Sequence, residues 1–169
     1  MKKLVLISIG LISYVLGSSQ LPVKRTDSLV NSIESNKTLT IKVVSDTFPL
    51  SNSSSLVTIE SVKFYSLKNK LLKAIFSAYY HSKDSTKNNI LTEYETFYFN
   101  NDLLIKVNAK DFDESPPKDL QFYLNEKHLK KYLAKETLNF TKYDGVNYFI
   151  ELGYNLLEEF KQLIKNKPK

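Results

Sequence analysis

Phe97-Tyr98-Phe99-Asn100-Asn101-Asp102-Leu103-Leu104-Ile105-Lys106-Val107-Asn108-Ala109-Lys110 is the stretch on which the fold turns. Two apolar-rich halves flank Asn100-Asn101-Asp102. Asn and Asp tolerate the positive φ that a tight turn demands, so the segment reads as a β-hairpin. Residues 122–135, Phe-Tyr-Leu-Asn-Glu-Lys-His-Leu-Lys-Lys-Tyr-Leu-Ala-Lys, match it at seven of fourteen positions without a gap. A fainter copy begins at Phe64. All three share Phe-Tyr, then Leu seven residues and Lys nine residues after the Phe: Phe64, Tyr65, Leu71, Lys73; Phe97, Tyr98, Leu104, Lys106; Phe122, Tyr123, Leu129, Lys131. Repeated hairpins predict an antiparallel meander.

The flanking sequence agrees. Leu39, Ile41 and Val43 alternate with Thr40 and Lys42, which is strand periodicity. Residues 45–55 hold Pro49 and a Ser-Asn-Ser-Ser-Ser run and are read as a loop. Strands follow over 56–65, 71–80, 90–99 and 103–109. On the second of these, Leu72, Ala74, Phe76, Ala78 and Tyr80 make an apolar face. On the last, Leu103, Ile105, Val107 and Ala109 share one. The connections are too short for parallel crossovers, so consecutive strands are antiparallel neighbours. Over 126–136 the apolar face is broken by Lys130, and Leu129, Tyr132 and Leu133 would share a helical stripe, so helix is favoured over strand there. Asp144-Gly145 is read as the turn of a last hairpin between 140–143 and 146–152. Asn155 as N-cap and Glu158 three residues on open a C-terminal helix with Leu156, Leu157, Phe160, Leu163 and Ile164 along one stripe. The expected fold is mainly β: a single-domain antiparallel β-meander, a curved sheet or partial barrel, carrying a C-terminal amphipathic helix.

The N-terminus has the layout of a secretory signal peptide: Met1-Lys2-Lys3, an apolar run from Leu4 to Leu16, then small residues through Ser19. Thirteen apolar residues are too few to span a bilayer. The expected organisation is a signal peptide over 1–19, a polar linker or short helix capped by Asp27 over 20–37, and one β-rich domain over 38–169. The expected location is periplasmic or secreted, and the Asn-, Lys- and Ile-rich composition suits a bacterial source.

Of 169 residues, 24 are Lys or Arg and 18 are Asp or Glu, a formal charge of +6. Loss of Lys2 and Lys3 with the signal would lower it to +4. There is no Cys, which excludes disulfides, thiolate nucleophiles and Cys-ligated zinc. Past residue 19 only Gly145 and Gly153 remain, so no glycine-rich phosphate loop can be built. The single Arg and the export signal argue against nucleic acid.

Candidate chemistry is sparse. His81 and His128 are not spaced as metal ligands, and no metal or other cofactor is expected. The run His81-Ser82-Lys83-Asp84-Ser85 lacks a nucleophile-elbow context. Asp111, Asp113 and Glu114 read as a solvated connector. Glu93 and Glu95 share a strand face, as a pair of carboxylates for hydrolysis would. Tyrosine suits binding surfaces because it offers area with a polar tip. Tyr79, Tyr94 and Tyr98 are therefore the candidate binding residues. The expected function is an exported, non-enzymatic binding or interaction module for an envelope protein, glycan or lipid. The alternative is a secreted hydrolase using carboxylates such as Glu93 and Glu95.

Overall fold

The computed structural model describes residues 23–49, 56–82, 90–112, 117–125, 128–134 and 144–166. The leader segment 1–19 lies outside them. The chain divides into two compact units, one ending at Asn36 and one beginning at Lys37. The described part of the first is a helix, α1, over residues 23–35. Asp27 lies inside this helix rather than at its cap.

The second unit is a seven-stranded antiparallel sheet with one helix. The strands are β1 (Thr40–Pro49), β2 (Leu56–Leu67), β3 (Lys70–Ser82), β4 (Ile90–Asn100), β5 (Leu103–Asp111), β6 (Lys118–Asn125) and β7 (His128–Ala134). The sheet order is β1-β2-β3-β4-β5-β6-β7, so each strand pairs with its neighbour in sequence. Among the described residues β1 and β7 do not pair, and the meander is open. The helix is α2 (Asp144–Lys165).

The repeat is a repeat of geometry. In the β2–β3, β4–β5 and β6–β7 hairpins, Tyr faces Lys: Tyr65 opposite Lys73, Tyr98 opposite Lys106, Tyr123 opposite Lys131. One step nearer each turn the register shifts, so Ser66, Phe99 and Leu124 face Leu71, Leu104 and Leu129. The extra residue at each β-bulge is Leu72, Ile105 and Lys130. The first two turns are two-residue turns with both central residues at positive φ: Lys68 (50°) and Asn69 (62°), Asn101 (49°) and Asp102 (63°). This mirror-image turn matches the right-handed twist of the strands it joins.

The bulge corrects two sequence readings. Alternation read straight through it puts Leu72, Leu103 and Ile105 in the core. The shift instead buries Leu71 and Leu104, and leaves Leu103 exposed. Residues 128–134 are strand, not helix: the ladder to β6 and its matching bulge fix them despite their lysines. β1 also runs on to Pro49, into the stretch read as loop from Ser45. Proline is tolerated there because β1 is an edge strand.

The last hairpin does not form. Residues 146–152 are helical, and the partner segment 140–143 lies outside the described residues. Asn155 is mid-helix, not a cap. In sequence, Val146, Phe149, Ile150, Gly153, Leu156, Leu157, Phe160, Leu163 and Ile164 recur at helical spacing, and this long stripe overrides the Asp-Gly signal.

α2 lies across one face of the sheet. Phe64, Phe97, Phe99, Leu71, Leu104 and Val107 of the sheet and Phe160 of α2 are fully buried together. The Phe64 and Phe160 rings lie 5.7 Å apart and those of Phe122 and Phe149 5.1 Å apart. Each such side chain contributes roughly 1.5–3 kcal/mol by leaving water. Gly153 sits at the closest approach: a Cβ there would lie 2.8 Å from Leu104 Cδ2 and 3.0 Å from Phe97 Cδ1.

Candidate functional site

The two faces of the sheet carry different chemistry. On the α2 side, β4 presents Glu93, Glu95, Phe97 and Phe99. Glu93 and Glu95 do share a face. It is the face on which α2 packs, where Glu93 stays exposed and Glu95 is buried. Asp46 pairs with Glu60, Glu60 with Ala78, and Ala78 with Glu93, so one row across four strands holds three carboxylates. The adjacent row runs Val44, Val62, Phe76, Glu95, which sets Glu95 among apolar neighbours.

Glu95 is only 3% exposed, and its Oε2 accepts no hydrogen bond. Burial, helped by the charge of Glu93, pushes its carboxyl up from 4.5 to about 8. Tyr148 of α2 donates to Glu93 Oε2 at 3.2 Å. Its hydroxyl is pushed above the usual phenol range, first by burial and then by the charges of Glu93 and Glu95. A carboxyl held protonated beside a second carboxyl is a pairing that acid–base hydrolysis uses. Here the protonated member is sealed from solvent. Toward β1, Glu159 of α2 has its carboxyl raised by burial and by Asp46. Asp46, Glu60 and Glu159 line a groove of about 190 Å³ together with Val44, Val62 and Leu152. Glu93 and Glu95 are not part of its lining.

A second groove, of about 290 Å³, lies between the turn residues Asn69 and Asn101-Asp102 and the end of α2 at Phe160, Lys161 and Ile164. Lys161 bridges to Glu158 at 2.8 Å and approaches Asp102 at 3.9 Å. Both grooves are smaller than a usual small-molecule site of roughly 300–1,000 Å³.

The opposite face carries the tyrosines. One row reads Ile41, Tyr65, Lys73, Tyr98, Lys106, Tyr123, Lys131 from β1 to β7. Lys73 Nζ stands 4.7 Å above the Tyr65 ring, and Lys106 Nζ 4.6 Å above the Tyr123 ring. Lys106 also donates to the Tyr123 hydroxyl at 3.0 Å. Tyr98, Lys106 and Tyr123 are all buried. The repeated Lys nine residues after each Phe is the sequence signal for these pairs, legible as spacing but not as a contact.

Tyr79, Tyr94 and Tyr98 therefore lie on one face, but not as equals. Tyr98 is 4% exposed and belongs to the Tyr–Lys row. Tyr79 and Tyr94 are half-buried on the adjacent strands β3 and β4. Tyr94 ends a row of small hydroxyl side chains: Ser45 faces Ser61, Ser61 faces Ser77, and Ser77 faces Tyr94. Ser45 Oγ donates to Ser61 Oγ at 3.1 Å. The next row carries Thr47, Ile59 and Tyr79.

His81 is the second-last residue of β3 and His128 the first of β7. Among the described residues no three of His, Asp and Glu converge as metal ligands. Asp113 and Glu114 lie outside the described residues, as do Lys83 to Ser85. No described helix is long and apolar enough to cross a membrane. No family model matches the chain, and neither a curated protein nor a solved structure matches it.

Proposed function

We propose that the chain is an exported, non-enzymatic binding module whose working surface is the sheet face turned away from α2, around Tyr79 and Tyr94. Export is supported by Lys2-Lys3, the apolar run Leu4–Leu16 and the small residues that follow. The observation that carries the binding reading is the row Ser45-Ser61-Ser77 ending at Tyr94 beside Tyr79. Within the row, Ser77 is buried and donates to the Ser61 carbonyl. The hydroxyls of Ser45 and Ser61 and the half-buried rings of Tyr79 and Tyr94 offer hydrogen bonds and flat apolar area together. Among an envelope protein, a glycan and a lipid, that combination suits a glycan best. The rival reading, a secreted hydrolase, rests on the neighbouring carboxyls Glu93 and Glu95, the second raised by burial. It requires substrate to reach a carboxyl that the helix covers.

Retention of the purified full chain on insoluble envelope polysaccharide tests the reading. Wild type is expected to be retained, and Tyr79→Ala plus Tyr94→Ala together to abolish retention. Tyr98→Phe is expected to leave it intact. Undiminished retention of the double variant would remove these tyrosines from the site.

A further inference from the structure

β1 is a sheet edge with unusual freedom. Eight of its ten residues are exposed. Ile41 is 56% exposed, Val43 58% and Phe48 47%. Its ladder with β2 runs all ten residues without a register shift. Edge strands are ordinarily kept short, bulged or heavily charged, because a long regular edge with apolar side chains is a template for another strand. Apart from Pro49 at its very end, β1 carries little of that protection.

We propose that β1 pairs antiparallel with β1 of a second copy of this chain, around a two-fold axis through Val44, to give a continuous fourteen-stranded sheet. The register follows from geometry and charge. In an antiparallel ladder a residue turns its N–H and C=O to the same side, so residues facing across the new edge must have like parity. A two-fold axis must then pass through a residue. Centred on Lys42 it sets lysine against lysine, and centred on Asp46 it sets aspartate against aspartate. Centred on Val43 or Ser45 it leaves both charges opposite uncharged side chains. Centred on Val44 it sets Lys42 opposite Asp46 of the second copy, twice, with Val44 against Val44. Such a surface is self-complementary, as a two-fold interface must be.

The surroundings of the two charges fit this pairing. Lys42 Nζ donates to the Leu163 carbonyl of α2 at 3.3 Å, a neutral acceptor. Asp46 lies beside a like charge, Glu159, and shares the groove with Glu60. Lys42 of a second copy brings a cation to this acidic margin from outside. The pairing uses the edge and not the Tyr79–Tyr94 surface, so it stands independently of the glycan reading.

Sedimentation velocity on the full chain over a concentration series tests the proposal. Wild type is expected to dimerise reversibly. Lys42→Asp and Asp46→Lys are each expected to weaken the dimer by about tenfold or more, since each sets two like-charge pairs across the edge. An equimolar mixture of the two variants is expected to recover dimer, because every facing pair is then again of opposite charge. Recovery on mixing is something a folding defect would not give. The absence of native cysteine permits a second readout. Facing residues lie about 4.5–5.5 Å apart at Cα, within disulfide range. Oxidised Val44→Cys is therefore expected to form a covalent dimer and Thr40→Cys to stay monomeric. A wild type that sediments as a monomer throughout the series would overturn the proposal. So would dimers that survive both single variants, a mixture that fails to associate, or Val44→Cys that does not cross-link.

Discussion

Glu95 is the residue whose surroundings oppose its charge most. Its carboxyl rises from 4.5 to about 8, with burial the larger cause and Glu93 the smaller. A carboxyl whose pKa is raised on folding binds its proton more tightly in the native state. Its contribution to stability is therefore full below pH 4.5, and it is lost as pH rises toward about 8. The expected slope across that window is a loss of up to about 1.4 kcal/mol per pH unit. Glu95→Gln keeps the shape and removes the proton. The variant should match wild type at the acid end and exceed it increasingly up to about pH 8, with no further gain above. Urea midpoints of both proteins along a pH series check this. Parallel curves would show that Glu95 does not titrate in that range. That Glu93 and Glu95 share a face was legible from their spacing of two. That the face lies beneath a helix was not, because alternation fixes relative sides and says nothing about which side is covered.

At the scale of elements, the hairpins were readable because each carries its own instructions: a Phe-Tyr pair, a turn that accepts positive φ, and a Leu and Lys at fixed distances. Sequence and structure part where a local signal meets a longer one. In sequence Lys130 breaks the apolar face of residues 126–136, but it occupies the bulge, where side-chain alternation is interrupted. Asp144-Gly145 is by itself a turn signal, but the apolar stripe from Val146 to Ile164 continues the helix back to Asp144. Of the candidate tyrosines, Tyr98 repeats Tyr65 and Tyr123 and so belongs to the scaffold, while Tyr79 and Tyr94 lie outside the repeat. Gly153 then gains a meaning as the contact point of helix and sheet. Ala is favoured over Gly in a helix by about 1 kcal/mol. Overpacking against Leu104 and Phe97, both buried, costs typically 1–3 kcal/mol. Gly153→Ala is thus expected to destabilise by about 1 kcal/mol, and Gly153→Val by more, measured as shifts in the denaturation midpoint. A stabilised Gly153→Ala would show that Leu104 swings aside freely.

For the whole molecule, α2 and the sheet complete one core. The helix supplies Leu156, Leu157 and Phe160 to the cluster that holds Phe64, Phe97, Phe99 and Phe122. A sheet of this kind needs its apolar face covered to be stable. A chain ending at Tyr143 is therefore expected to lose cooperative unfolding and to bind a hydrophobic dye such as ANS, as expanded states with exposed apolar surface do. A sharp thermal transition and no dye binding in the truncated chain would mean that the sheet closes its core without the helix.

Because every strand pairs with its sequence neighbour, each hairpin can zip as soon as its own residues are made, and such local contacts favour rapid folding. Yet α2, which packs on their aromatic side, follows every strand in sequence. Until Phe160 is in place, Phe64, Phe97 and Phe99 lack the helix side chain that completes their cluster. The order of synthesis thus works as a timer. The hairpins can pair early, but their shared core closes only after all seven strands have been followed by the helix.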